Sequence, residues 1–230
     1  MEKADELGAA RSEGLSYQGL LDTDTHVVPD VLRLQSPRFF GTEDISTERY
    51  TSREWHEKEV ANLWSRVWQY ACREDEIPEV GDYYIYEIVK SSYLVMRTAP
   101  DEIKAYPNAC LHRGRLLKEY NGQCGEIRCP FHGFAWTLDG ELKDVPAQWD
   151  FPHVNAEEFS LPAISVGIWA GFVMINPDPE AEPLEEFLGE IIEQFEVWDL
   201  GNRFKQAHVA KIIDCNWKIA QEAFCEAYHV

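Results

Sequence analysis

Two short arms between residues 110 and 134 constrain this chain more than anything else in it. The first is Cys110-Leu111-His112-Arg113-Gly114, and sixteen residues after His112 comes the second, Cys129-Pro130-Phe131-His132-Gly133-Phe134. Each arm offers one thiolate and one imidazole, and each closes on a glycine, which lets the backbone turn tightly beside a ligand. Thiolates are soft ligands and imidazoles intermediate, so the set suits either tetrahedral zinc or a 2Fe-2S cluster with both cysteines on one iron and both histidines on the other. A helical zinc finger places its histidines together on a helix after a cysteine pair. Here the order is Cys, His, Cys, His with Pro130 inside the second arm. Two loop tips facing each other fit that order better.

The pattern C-x-H-R-G followed by C-P-F-H-G-F resembles the cluster-binding signature of Rieske iron-sulfur domains. The resemblance implies a Rieske-type 2Fe-2S cluster held by Cys110, His112, Cys129 and His132. Rieske proteins of respiratory cytochrome complexes carry an extra, bridged cysteine in each arm; the corresponding positions here are Arg115 and Phe131. The closer likeness is therefore to the type found in oxygenases and their ferredoxins. The other cysteines, Cys72, Cys124, Cys215 and Cys225, show no small-domain disulfide framework, which fits a reducing compartment.

Around the arms the pattern is that of an antiparallel β domain. Trp68 to Cys72, Asp82 to Val89, Tyr93 to Thr98 and Ile103 to Pro107 read as short strands between Gly, Pro, Asp and Ser turns, and Phe134 to Lys143 and Ile164 to Ile175 read as hairpins. Before them, Thr51-Ser52-Arg53-Glu54 has the form of a capping box, and Trp55, Val60, Leu63, Trp64 and Val67 recur at helical spacing, predicting a helix over 53–67. His56 and His153 read as surface or loop histidines. After a Pro- and acid-rich link, the spacing predicts a helix over 183–198, a β-branched strand over 208–213 and a helix over 216–229. The fold class is thus α+β. Residues 1–48 form an arm, 49–180 an all-β antiparallel Rieske domain with its preceding helix and two cluster-binding loops, and 181–230 the first helices and strand of an incomplete α+β catalytic domain.

In the last helix Glu222, Glu226 and His229 share a face opposite the stripe of Trp217, Ala220, Phe224, Ala227 and Tyr228. Spacing alone makes that a solvated face, with Lys218 and Glu222 as an i,i+4 pair. However, N-W-K, three residues, then E-A-F-C-E-A-Y-H is similar to the start of the catalytic domain of Rieske non-heme iron oxygenases. That resemblance implies that His229 is the first histidine ligand of a mononuclear non-heme Fe(II). It implies that Glu226 bridges electron transfer to that iron from the cluster of a neighbouring subunit, through His132. Ala223 stands where the family usually has Asn, and the rest of the facial triad is not in this sequence, so the chain reads as a truncated large (alpha) subunit of an aromatic-ring-hydroxylating Rieske oxygenase, a dioxygenase or a monooxygenase, inactive by itself.

The same resemblance implies a ferredoxin or NAD(P)H-dependent reductase as electron donor, a homotrimer or alpha-beta hexamer, and O2 with a small aromatic substrate. A ferredoxin-like electron-transfer module is the alternative, and a zinc-stabilised binding domain a third. The formal charge of −20, from 21 basic and 41 acidic residues, argues against nucleic acid or anionic membrane as partner. With no apolar run of 18 residues and no secretory signal, the expected location is cytoplasmic.

Overall fold

The structure is a computed structural model of the 230-residue chain and describes residues 16–33 and 43–225. It divides into two units, Met1–Thr47 and Glu48–Val230. In the first, Ser16 caps helix α1 (Tyr17–Leu21) by accepting from the Gly19 N–H, and Arg33 pairs with Asp22 at 2.7 Å.

The second unit opens with α2 (Glu48–Thr51) and α3 (Arg53–Glu59), which continues as a π-helical turn over Val60–Trp64. Ser52, not Thr51, is the cap, accepting from the Trp55 N–H, and the helix stops three residues short of the predicted end. Ten described strands follow: β1 (Gln69–Arg73), β2 (Asp82–Ile88), β3 (Ser91–Ala99), β4 (Glu102–Pro107), β5 (Gly122–Gln123), β6 (Ile127–Arg128), β7 (Ala135–Trp136), β8 (Leu142–Asp144), β9 (Ser165–Trp169) and β10 (Phe172–Asn176), with α4 (Ala156–Phe159) between β8 and β9. They form three antiparallel sheets, ordered β1-β10-β9, β4-β3-β2-β5 and β6-β7-β8.

The middle sheet is covered on both faces, and the period-2 alternation of a strand shows how. On β3, Leu94 and Met96 point into one core with Tyr106, Ile127, Trp136 and Leu161, while Val95 points into the other with Ala71, Ile103, Val173 and Ile175. All three are fully buried. Each such side chain removed from water contributes about 1.5–3 kcal/mol. Cys110 and Cys129 belong to the first of these cores.

Past the sheets the sequence is a weaker guide. The single helix expected over 183–198 is interrupted at Gly189 (φ 50), giving α5 (Leu184–Leu188) and α6 (Ile191–Phe195), with 3-10 turns at Glu196–Trp198 and Leu200–Asn202. The strand expected over 208–213 is not formed: no described strand pairs with it, and Val209 and Ile212 are exposed. A β-branched run becomes a strand only when a neighbouring backbone takes its N–H and C=O groups, so propensity alone was insufficient. The last described helix, α7 (Trp217–Glu222), is capped by Asn216, which accepts from the Lys218 N–H at 3.0 Å. The remainder of the helix expected over 216–229 lies partly outside the described residues.

Lys218 and Glu222 do not pair with each other as expected. Lys218 pairs with Glu59, both side chains nearly buried, and Trp217 donates to the same carboxylate at 3.1 Å. Glu222 takes Arg49 and the Tyr50 hydroxyl, and Trp64 meets Trp217 edge to face at 4.8 Å. Burial alone would raise the Glu59 pKa, but its bonds to Lys218 and Trp217 more than reverse that and hold it below the usual carboxylate range.

Candidate metal centre

Both arms are the same turn built twice. In the first, the Cys110 N–H donates to Arg115 O and the Gly114 N–H to Cys110 O, each at 2.8 Å. In the second, the Cys129 N–H donates to Phe134 O at 2.8 Å and the Gly133 N–H to Cys129 O at 3.1 Å. Gly114 and Gly133 sit at φ 70 and 83, a region that costs an L-residue steric strain, so the glycine ending each arm is what lets the turn close.

The turns sort their side chains by depth. Cys110 and Cys129 are buried at 4% and 2% exposure, whereas His112 and His132 are exposed. The two thiols are free and lie in the same buried cluster. Burial pushes the Cys110 thiol above its usual pKa and the adjacent Cys129 adds to the rise, against the backbone N–H groups of His112 and Arg113 directed at the sulfur. The imidazoles of His112 and His132 stand 4.9 Å apart, and burial, His132 and Arg113 all disfavour protonation of His112. His112 lies parallel to Phe134 at 5.1 Å, and His132 beside the exposed Phe131 at 3.9 Å.

This donor set fits a binuclear cluster. Two sulfurs lie on the dry side and two imidazoles on the wet side, as a cluster with both cysteines on one iron and both histidines on the other requires. Among the described residues no three His, Cys, Asp or Glu side chains gather where a single ion could be held. Of the other sequence-predicted site residues, Glu226 and His229 lie outside the described residues. Ala223, at the end of α7, is partly buried.

Residues 67–156 match the Rieske 2Fe-2S domain family, so the twin-arm site belongs to a Rieske domain. Beyond that domain the likeness runs to large subunits of Rieske oxygenases. The chain is 29% identical over 187 residues to the biphenyl 2,3-dioxygenase subunit alpha of Rhodococcus jostii (strain RHA1), covering 78% of this chain and 41% of the relative. It is 30% identical over 200 residues to the anthranilate 1,2-dioxygenase large subunit of Acinetobacter baylyi (strain ATCC 33305 / BD413 / ADP1), covering 83% and 42%. Among solved structures, a quaternary ammonium Rieske monooxygenase in complex with its substrate gamma-butyrobetaine superposes with a TM-score of 0.74 at 26% identity, over 80% of this chain and 53% of that one. The chain therefore spans about half the length of the relatives it matches, or less. Among the described residues no helix is long and apolar enough to cross a membrane.

Sequence reading missed two residues that build this site. Asn108 closes the first arm from below, and Arg128 braces the second by donating to Gly133 O at 2.8 Å. Asn before a turn and Arg beside a strand are common, so their residue types carried no signal. Their partners lie up to sixteen residues away, beyond what local spacing shows.

Proposed function

We propose that Cys110, His112, Cys129 and His132 are the ligands of a Rieske 2Fe-2S cluster, and that the chain is the cluster-bearing part of an oxygenase large subunit. The observation that carries this is the pair of identical turns that bury both thiols and leave both imidazoles at the surface, 4.9 Å apart. When bound, such a cluster takes up and releases one electron, at a potential raised by neutral imidazoles in place of two thiolates. The protein's own part is positional. Cys110 and Cys129 keep water from the sulfur side, and exposed His132 offers a ring N–H to a carboxylate on a docking surface.

In this reading Glu226 of the partner subunit supplies that carboxylate and His229 is a ligand of a mononuclear iron in the oxygenase, which implies a trimer or an alpha-beta hexamer. The likeness to oxygenase subunits continues past residue 156, and α7 is tied to α2 and α3 by two separate ion pairs, features a ferredoxin-like module does not need. A ferredoxin or NAD(P)H-dependent reductase is the donor, O2 the oxidant, and the compartment cytoplasmic. The substrate is a small organic molecule. The biphenyl and anthranilate relatives favour an aromatic ring, and the gamma-butyrobetaine complex keeps an alkylammonium compound in view.

The test is the visible and EPR spectrum of the purified 230-residue chain, with its metal content. About two irons per chain with a Rieske EPR signal are expected; a colourless protein with stoichiometric zinc would overturn the reading.

A further inference from the structure

The first arm lacks something that the second has. Behind the second arm stands a true hairpin, with Arg128 opposite Ala135 and Ile127 opposite Trp136. Behind the first there is none. β4 ends at Pro107, and the next strand, β5, pairs with β2 and not with β4. The chain must nevertheless enter and leave the arm at fixed positions, or Cys110 would not be held beside Cys129.

Asn108 fills that place. Its side chain is 1% exposed, and both ends of its carboxamide are occupied. Oδ1 accepts from the Leu117 N–H at 3.1 Å and the Lys118 N–H at 2.9 Å, while Nδ2 donates to Lys118 O at 2.8 Å and to Ser92 Oγ at 3.0 Å. Two donors converge on Oδ1 and two acceptors on Nδ2, which settles the orientation of the amide. The carboxamide thus exchanges both an N–H and a C=O bond with the backbone of Lys118. That is the arrangement of one hydrogen-bonded pair in an antiparallel ladder. The residue's own N–H continues the edge by donating to Ser92 O at 2.9 Å.

Resting on the cluster reading above, we propose that Asn108 is the positioning residue of the first ligand arm: its side-chain amide replaces the missing rung of backbone pairing and fixes Cys110 and His112 relative to Cys129 and His132. Its side-chain hydrogen bonds go to Ser92, Leu117 and Lys118, so it acts through the loop it closes. Leu117 is buried, so losing the acceptor leaves its N–H without a partner in the core, a penalty that falls on this arm alone.

Two variants of the full chain test this. Asn108→Ala removes all four side-chain bonds. Asn108→Asp keeps the shape and the acceptor while losing both donor contacts, and remains informative if the alanine variant fails to fold. Amide exchange, measured without the cluster, should quicken by roughly tenfold or more at Leu117 and Lys118 in Asn108→Ala, with the Ile127–Trp136 hairpin unchanged. In loaded protein, the cluster's midpoint potential and EPR g-values should move, more for Ala than for Asp, and occupancy should fall. Unchanged exchange at 117 and 118, equal loosening of both arms, or variants with wild-type potential and g-values would each overturn the proposal. A wild-type chain that never shows a Rieske spectrum would defeat the cluster reading instead, while the exchange measurement would still decide whether Asn108 closes the loop.

Discussion

Cys110–Gly114 and Cys129–Gly133 close the same turn with the same two backbone bonds, yet they are supported in opposite ways. The first stands on a buried, neutral carboxamide. The second stands on a backbone hairpin, braced at the surface by charges: Arg128 bonds Glu126 and reaches Asp144, and Lys143 also bonds Glu126. The ligand turn is a local matter that five residues can encode, whereas its support depends on which strand the topology brings alongside. Where a strand was available the fold used it, and where none was, a side chain copied one.

The largest expected effect is the one in which the arms should behave alike. Cys110→Ala and Cys129→Ala each remove a buried sulfur, and both should abolish the cluster, taking iron from about two per chain to almost none. Iron analysis and EPR check this. If either variant keeps an intact Rieske signal, the two arms are not equivalent ligand donors.

The turns of the two arms were legible in the sequence, because each closes on a glycine and both glycines take the left-handed backbone such a turn needs. The strands were legible for a similar reason: Leu94, Val95 and Met96 alternate between two cores, and every residue of that run is apolar. What failed was non-local. Residues 208–213, with Val209, Ile212 and Ile213 β-branched, suit a strand but have no described neighbour to pair with, and Gly189 breaks a helix whose apolar periodicity runs straight through it. Lys218 and Glu222 have ideal i,i+4 spacing, but each prefers a partner from the segment before β1, more than 150 residues away. Asn108 was invisible for the same reason, since an asparagine beside a turn ordinarily bonds its own loop.

The aromatic rings beside the histidines separate the arms next. Phe134, stacked on His112, is 7% exposed and part of the core, whereas Phe131, beside His132, is 62% exposed. Phe134→Ala should therefore destabilise the chain by about 3–5 kcal/mol. Phe131→Ala should change stability by less than about 0.5 kcal/mol. Denaturant unfolding measures both, and similar costs would show that Phe131 packs against more than His132.

The glycines differ by less. Gly114→Ala and Gly133→Ala each force a side chain into left-handed backbone, at about 1–2 kcal/mol. A Cβ at Gly114 meets nothing within 4 Å, while one at Gly133 comes within 3.2 Å of Pro146 Cγ. Gly133→Ala should thus lower Tm further, and equal shifts would mean that Pro146 gives way without cost.

The smallest effect distinguishes a charged brace from a neutral one. The bonds of Lys143 and Arg128 hold the Glu126 carboxyl below its usual pKa. A carboxyl whose folded pKa is depressed contributes its stabilisation fully above the unfolded value, and that contribution is lost as pH falls through the folded one. The window therefore lies at and below the ordinary glutamate value of about 4.3. The brace is exposed, so salt should weaken it as well. The protection of the Cys129 and Gly133 amides against exchange, taken relative to the intrinsic rate at each pH, should accordingly fall about twofold in high salt, again as pH drops through that window, and to the same extent in Arg128→Gln at neutral pH. Leu117 and Lys118 should not respond to salt, because a carboxamide bonded to backbone amides carries no charge to screen and does not titrate. If both arms loosened together, their supports would be coupled through the shared core around Cys110 and Cys129, and the difference between a copied rung and a true one would be one of geometry alone.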